Sequence, residues 1–331
     1  MEPARDSRSS QGVTRRAFLA RASAWTVGAA VAASTGPGRR ARAGGPAQAG
    51  QPPVVRVCSE RVVRGRRVDQ RLLTEMLDRG LALATGASTG AQAWQSLLAP
   101  DDVVGLKFNR SGAKELGTTV PMAQTLITSL TEAGFSPSQL VPLEVPPIIW
   151  DELGTTRPDP SWEAEETPFG SGSDRLAKVL RQVTAIVNVP FLKTHNIAGI
   201  TCCLKNLSHA LVKHPARFHG NRCCPYIADI VALPQIRDKL RLHVVNGLRM
   251  VYDGGPEAPK ETTCEAGLVL VSRDPVAVDT VGLEKLNHVR QEHGLKPMTP
   301  QGASLAYLSA AGKHGLGCNE IHEIPLQKIR M

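Results

Sequence analysis

Short apolar runs and helix-like patterns follow one another along most of the chain. Residues 69–83 read DQRLLTEMLDRGLAL and place leucine and methionine three or four positions apart, which predicts an amphipathic helix. Residues 121–135 predict a second helix, because Pro121 stands at its start and Gly134 near its end. Further helices are predicted at 174–183, 274–290 and 301–313.

Strands are predicted around these helices. The apolar, strand-like runs lie at 54–57, 101–109, 140–145, 185–192, 241–248 and 267–272. Strand–helix alternation of this kind predicts an α/β fold with a mainly parallel or mixed sheet and flanking helices. With 331 residues, 42% of them hydrophobic, the chain is long enough for a single compact domain, which we place at 54–331. Residues 151–173 are rich in Pro, Gly, Ser and Glu and predict a loop or insertion.

The first 43 residues have the pattern of an export signal. Arg15 and Arg16 form a twin-arginine motif, the segment after them is apolar and rich in alanine, and ARA at 41–43 fits a small-x-small cleavage site. The apolar segment is too short to span a bilayer. We therefore expect a Tat signal peptide at 1–43, read by the Tat translocase, and a flexible linker at 44–53. The mature protein is then periplasmic or otherwise extracytoplasmic, with no stable membrane span.

The basic character of the chain belongs mostly to this leader. Residues 1–43 contain eight of the 39 basic residues and two of the 30 acidic ones, so the net charge falls from +9 for the whole chain to +3 for the remainder. Aromatic residues make up only 4%, and the sequence contains no long basic run. A nucleic-acid partner is therefore not expected.

Polar side chains follow two of the predicted strands. Lys107 and Asn109 stand two positions apart at the end of one strand, and Lys193 and His195 stand two positions apart at the end of another. Residues two apart on a strand point to the same side. Ligands of open α/β sheets bind beyond the carboxyl ends of the strands. The two strand ends therefore predict one shared cationic pocket.

A second pair of polar residues, Lys205 and Asn206, follows shortly after the second strand. In the shared pocket, Lys107, Lys193 and Lys205 would supply positive charge, and His195 or His219 would transfer a proton near neutral pH. The three lysines and His195 are the predicted catalytic set. The alternative is that the lysines are simply exposed at the beginnings of loops.

Two aspartates on one predicted helix read differently. Asp274 precedes Pro275 and predicts a helix N-cap. Asp279 lies among apolar residues, so it is predicted to be buried, and a lysine of the pocket would be its natural partner. Asp253 in a Gly-Gly-Pro turn and His219 in a loop are predicted ligand contacts, although each could instead have a purely structural role. Asn109 and Asn206 complete the predicted substrate-binding set.

Four of the seven cysteines form two adjacent pairs, Cys202-Cys203 and Cys223-Cys224. A bond within one pair would be strained because neighbouring Cα atoms lie only ~3.8 Å apart, whereas a bond between the pairs is easier. Buried apolar packing, disulfide formation and metal binding all stay open. Cys223 and Cys224 are the candidate metal ligands.

Several of these segments recur together and in order. They are KFN (107–109), VPFLKTH (189–195), TCCLKNL (201–207), FH (218–219), PYIADI (225–230), YDGGP (252–256) and SRDPVAVD (272–279). Together they resemble the uncharacterised DUF362 family over most of residues 100–320, in its stand-alone, Tat-exported branch. The resemblance implies an iron–sulfur or redox setting, because many members carry ferredoxin-type motifs. This chain has no C-x2-C-x2-C run, so we expect no cluster in it.

The resemblance also bears on the cysteines. It implies small residues where Cys202 and Cys203 stand, which favours a packing or disulfide role for that pair. Cys223 is then the better candidate for function.

Three functions fit the sequence. The first is an enzyme that binds a small anionic substrate in the Lys/His/Asn pocket; no motif identifies its cofactor. The second is a redox or metal-associated accessory protein that uses the Cys/His-rich segment 202–224. The third is a solute-binding protein with the same pocket and no chemistry.

Overall fold

A computed structural model describes residues 50–299 and 305–331. The predicted signal peptide at 1–43 and most of the predicted linker at 44–53 lie outside these ranges. The strands are β1 (Val54–Cys58), β2 (Val63–Arg64), β3 (Arg67–Val68), β4 (Val104–Lys107), β5 (Leu140–Leu143), β6 (Thr167–Phe169), β7 (Gly172–Asp174), β8 (Ala185–Asn188), β9 (Phe191–His195), β10 (Gly199–Thr201), β11 (Leu240–Val251), β12 (Thr263–Ser272) and β13 (Leu326–Arg330).

The helices lie between these strands. They are α1 (Gln70–Thr85), α2 (Gly90–Leu97), α3 (Ala113–Leu116), α4 (Thr119–Glu132), α5 (Ile148–Leu153), α6 (Val179–Gln182), α7 (Cys203–Leu207), α8 (Tyr226–Val231), α9 (Pro234–Arg237), α10 (Pro275–Glu292) and α11 (Ala306–Lys313). None of the helices in the described ranges is long and apolar enough to cross a membrane.

Nine strands form one mixed, mostly parallel sheet, which confirms the predicted α/β class. Its order is β13-β1-β12-β11-β8-β4-β5, with β9 beside β11 and β10 beside β9. The strands β4, β5, β8, β9 and β11 run parallel to their neighbours in this set, whereas β12 runs antiparallel to both β1 and β11. The carboxyl ends of β4 and β8 therefore lie side by side, with Lys107 paired to Asn188.

Helices flank the sheet, and two glycines allow them to lie close to it. A Cβ atom at Gly80 of α1 would come within 2.8 Å of Val271, and one at Gly282 of α10 within 3.1 Å of Leu192. The N-cap predicted for α10 is confirmed, because the Asp274 carboxylate accepts the Ala277 N–H at 2.8 Å and Pro275 is the first helical residue.

The apolar run at 185–192 forms two strands instead of the single one predicted. Proline has no N–H for the ladder, and β8 ends two residues before Pro190. The chain resumes as β9, in which all five residues are buried, and β10 folds back on it so that Thr201 pairs with Lys193. The polar ending of the run is thus part of a strand and not of a loop.

Two other predictions need correction. The segment 151–173 contains the end of α5 and most of the β6–β7 hairpin, so it is not wholly loop. The helix predicted at 174–183 is reduced to the four residues of α6, because Asp174 belongs to β7 and accepts the His214 N–H at 2.7 Å.

Candidate functional site

Lys107 at the end of β4 lies in a buried network of charge and amide groups. Its ammonium is 2.5 Å from the Glu144 carboxylate and donates to Asn206 Oδ1 at 3.2 Å. The Asn206 amide donates in turn to Asn188 Oδ1 at 2.8 Å and to the Lys107 carbonyl at 3.0 Å. We call Lys107, Glu144, Asn188 and Asn206 the amide network. Every polar end in it has a partner, so it can fix the carboxyl ends of β4 and β8 against α7.

Glu144 was missed by the sequence reasoning, although it follows β5 as Lys107 ends β4. Burial opposes ionisation of this carboxyl, but Lys107 and His209 outweigh burial and hold its pKa at about 2. Burial lowers the pKa of Lys107, and Glu144 opposes that shift. The Glu144 carboxylate thus favours the charged form of a lysine that is only 1% exposed.

Asn109 joins this network through its own amide nitrogen, which donates to Asn206 Oδ1 at 3.2 Å. The orientation follows from the partners, because Asn206 Oδ1 already accepts from Lys107 and can only face a donor. Asn109 Oδ1 is then buried without a partner among the described residues.

Lys193 is held differently, by backbone carbonyl groups. Its ammonium donates to the carbonyl oxygens of Ser111 and Pro256, each at 2.5 Å. Burial lowers its pKa to about 8, with Glu257 and Glu144 acting in the opposite sense. Lys193 therefore ties β9 to the segments that carry Ser111 and Pro256.

Lys205 on α7 has neither kind of partner. Lys205 is only 7% exposed, yet its ammonium makes no hydrogen bond or ion pair with any residue of the described ranges. The ammonium is also not among the fully enclosed unpaired atoms, so part of its surface is accessible to solvent. Burial lowers its pKa, with Cys223 raising it and Lys107 lowering it further.

Two histidine rings lie near Lys205 and stack on each other. The His195 and His219 ring centroids are 5.7 Å apart at an interplanar angle of 20°. Burial, and next the charge of Lys205, lowers the pKa of His195 to about 3. The same two causes lower the pKa of His219. We call Lys205, His195 and His219 the open group, because the Lys205 ammonium and the Nε2 atom of each ring have no hydrogen-bond partner among the described residues.

Comparison with known proteins places the centre of the chain in a family. Residues 148–284 match the family model described as "Domain of unknown function (DUF362)". Over these residues the chain is similar to the DUF362 family, and we call this part the DUF362 domain. The match includes the open group, Asp253 and Asp279, whereas Lys107, Asn109 and Glu144 precede it.

Two further comparisons are less informative for this DUF362 domain. A search of the curated proteins found no match. A crystal structure of a Thermotoga maritima protein, a Northeast Structural Genomics Consortium target, is 13% identical with a TM-score of 0.34. The alignment covers 76% of this chain and 60% of that chain, which is less than two thirds of the length of that protein.

Asp279 of the DUF362 domain does not pair with a lysine, and that prediction is wrong. Its carboxylate accepts the N–H groups of Cys203 at 2.6 Å and Leu204 at 3.1 Å. These are the first residues of α7, whose N–H groups have no partner inside the helix. Burial raises the pKa of Asp279 to about 7, although a hydrogen bond with the Cys202 thiol and the two backbone N–H groups oppose the shift. Asp279 thus positions α7, and with it Lys205.

Asp253, a predicted ligand contact, forms an ion pair with Arg290 at 2.9 Å. Both residues line a cavity of about 460 Å³, together with Thr194, His195 and Gly255. None of the three lysines is among the described residues that line it. Sequence reasoning missed Arg290, because a single arginine on a long helix carries no signal of its own.

All seven cysteines of the chain are free thiols in the structure. Cys202 and Cys203 lie with Asp279 in a buried group whose sulfur and carboxylate atoms are all within 4.8 Å of one another. Cys223 and Cys224, the candidate metal ligands from the sequence, are not members of that group. Burial raises the pKa of Cys223, and Lys205 acts in the opposite sense.

Proposed function

We propose that the DUF362 domain is an enzyme that binds a small anionic substrate at Lys205. The proposal rests on one observation: Lys205 is a buried ammonium without a partner in the described part of the chain. Removing a charge from water is costly unless an opposite charge compensates it. A bound anion supplies that charge.

The surroundings of Lys205 support an anion over other ligands. Lys107 and Lys193 add to the positive potential, and Glu144 is already engaged by Lys107. The two histidine rings then stand where a bound molecule could meet groups that donate or accept protons. A binding protein without chemistry would need the lysine but not the rings.

Calorimetry with inorganic phosphate, pyruvate and citrate tests the proposal. We expect at least one of these probes to bind, and Lys205→Met to weaken it by at least tenfold. Lys328→Met is the matched control, because Lys328 is exposed on β13 and its loss should leave binding unchanged. No binding by any probe, or equal binding by wild type and Lys205→Met, would contradict the proposal.

Turnover separates the enzyme from a solute-binding protein. Phosphate esters and oxo-carboxylates that bind at Lys205 should be changed chemically by the wild type and not by His219→Gln. Tight binding of a compound that is recovered unchanged from the wild type would favour the binding protein.

A metal-associated accessory role is the second candidate function, and the group of Cys202, Cys203 and Asp279 is the observation that favours it. Thiolate and carboxylate ligands suit zinc. Against this role, both Asp279 oxygens already accept backbone N–H groups. Metal analysis of purified wild type and of a Cys202→Ser variant distinguishes the two candidates, because a bound ion should disappear with the thiol.

Export by the Tat translocase is a separate proposal that rests on the sequence of the leader. Replacing Arg15 and Arg16 by lysine should keep the precursor in the cytoplasm, while the wild type appears outside it with a mature chain that begins near Gly44. Normal export of the variant would contradict the proposal.

A further inference from the structure

The two stacked histidines carry their ring protons on different nitrogens. His195 Nδ1 lies 3.2 Å from the N–H groups of Ile197 and of Ala198. A backbone N–H can only donate, so His195 Nδ1 must be the acceptor and carry a lone pair. In a neutral ring the proton is then on Nε2.

His219 has the opposite arrangement. Its Nδ1 lies 3.2 Å from the carbonyl oxygen of Ala216. A carbonyl oxygen can only accept, so His219 Nδ1 must carry the proton. In a neutral ring the lone pair is then on Nε2.

Both Nε2 atoms are at least partly accessible to solvent. Neither has a hydrogen-bond partner in the described ranges, and neither is among the fully enclosed unpaired atoms. The charged and titratable groups that face the two rings are Lys193, Lys205 and His209, and with each ring the other histidine. This surrounding positive charge favours the neutral form of both rings, in which the donor and acceptor roles hold.

We propose that His195 is a permanent hydrogen-bond donor of the site and that His219 is its proton acceptor. The inference rests on the proposed function, because the open group is the place where the substrate would bind. A substrate that meets both rings must present an acceptor oxygen to His195 Nε2–H and a removable proton to His219 Nε2. Small hydroxy- and oxo-carboxylates have both features beside a negative charge.

The division of roles has a chemical consequence. When His219 Nε2 removes a proton, the electron pair left on the substrate moves toward its acceptor oxygen. The His195 N–H then donates to an oxygen whose negative charge is growing, which stabilises it without transferring a proton. Lys205 lies near enough to both rings to lower their pKa values and adds its positive charge to the same region.

Nitrogen NMR of ¹⁵N-labelled full-length protein tests the assignment without a ligand. Long-range proton–nitrogen correlation distinguishes the two neutral tautomers and the protonated ring, and loss of one signal set in His195→Gln and in His219→Gln assigns them. We expect His195 to be neutral with its proton on Nε2 from pH 5 to 8. We expect His219 to carry its proton on Nδ1 at pH 7.5. A protonated His195 at pH 7, or the same tautomer in both rings, would overturn the proposal.

Acylation by diethyl pyrocarbonate gives a second, independent readout. The reagent needs an imidazole lone pair: the nitrogen bonds to a carbonyl carbon, the C–O bond to the leaving monoethyl carbonate breaks, and the ring loses its other N–H proton to solvent. His219 Nε2 offers a free lone pair, whereas the lone pair of His195 is held by two N–H groups.

Peptide mass spectrometry should therefore find His219 acylated at least tenfold faster than His195. His288 on α10, with 63% of its side chain exposed, is the reactive reference. Equal rates at His195 and His219 would contradict the assignment. Failure of phosphate, pyruvate and citrate to bind would instead contradict the proposed function, and neither histidine readout depends on that binding.

Discussion

The amide network and the open group lie side by side and both depend on α7, yet they treat a buried lysine in opposite ways. In the amide network Lys107 has a carboxylate and an amide oxygen within hydrogen-bond distance. In the open group Lys205, one position before Asn206, has no such partner among the described residues. Burial is the main reason that the pKa of both lysines is lowered. For Lys107 the strongest opposing influence is the adjacent Glu144 carboxylate, whereas for Lys205 it is Cys223.

This difference separates two uses of charge. A buried ion pair with satisfied hydrogen bonds fixes the positions of the elements that carry it, and breaking it leaves an uncompensated charge. A buried charge without a partner does not stabilise the folded state in this way. Proteins keep such destabilising groups mainly at functional sites. We therefore read the amide network as the scaffold and the open group as the part that meets a ligand.

The largest effect is expected when the scaffold is broken at Lys107. Lys107→Met strands the Glu144 carboxylate, which should lower the free energy of unfolding by about 3–5 kcal/mol. Urea denaturation followed by circular dichroism measures the loss. The double variant Lys107→Met with Glu144→Gln should recover part of it, because no unpaired charge is left. A change below about 1 kcal/mol in the single variant would show that the pair is not a structural anchor.

Acid should weaken the same pair in a defined pH range. The folded pKa of Glu144 is about 2, below its ordinary value of 4.5, so its stabilising contribution is complete above pH 4.5 and is lost as the pH falls toward 2. The shift corresponds to a contribution on the order of 3 kcal/mol. The free energy of unfolding, measured between pH 2 and 6, should fall less steeply with acid in Glu144→Gln than in the wild type. Parallel curves for the two proteins would contradict the ion pair.

Removing the support of α7 should cost less and affect both regions. Asp279→Ala leaves two buried N–H groups without acceptors, and we expect a loss of about 1–3 kcal/mol. Asp279→Asn keeps one acceptor oxygen, so its free energy of unfolding should lie between those of Asp279→Ala and the wild type. Because α7 carries Lys205, binding of an anionic probe should weaken together with stability. An Asp279→Ala protein of wild-type stability would show that the carboxylate does not hold α7.

The sequence predicted the principal helices and strands well, but it predicted breaks in strands and short elements poorly. Apolar runs and helical spacing placed the principal strands and the long helices α1 and α10 correctly, because burial on a sheet or a helix face imposes a period on the residues. The break before Pro190 was missed although the missing N–H of proline gives its physical cause. Short elements such as β6 and α6 depend on tertiary contacts that no local pattern records.

The site was predictable as a gathering of residues and not as a set of partners. The rule that ligands meet the carboxyl ends of parallel strands predicts Lys107 and Lys193 in one pocket. In the structure each of them lies near enough to Lys205 for their charges to interact. The partner of Asp279 could not be inferred in the same way, since a buried carboxylate accepts backbone N–H groups as readily as it pairs with a lysine. The role of Glu144 could not be predicted from the sequence, because it depends on its distance to the Lys107 ammonium in the folded chain.

Replacing Lys205 should have the smallest effect on stability. This variant, set against Lys107→Met, compares the open group with the amide network most directly. Lys205→Met removes a charge that has no hydrogen-bond or ion-pair partner among the described residues and replaces it with an apolar chain of similar length. We expect the free energy of unfolding to stay within about 1 kcal/mol of the wild type, or to rise, whereas Lys107→Met destabilises by several times that amount. The same variant should lose anionic probe binding at least tenfold. A thermal melt and a calorimetric titration of each protein therefore give opposite rankings of the two lysines. If Lys205→Met destabilised the domain as much as Lys107→Met, Lys205 would belong to the scaffold.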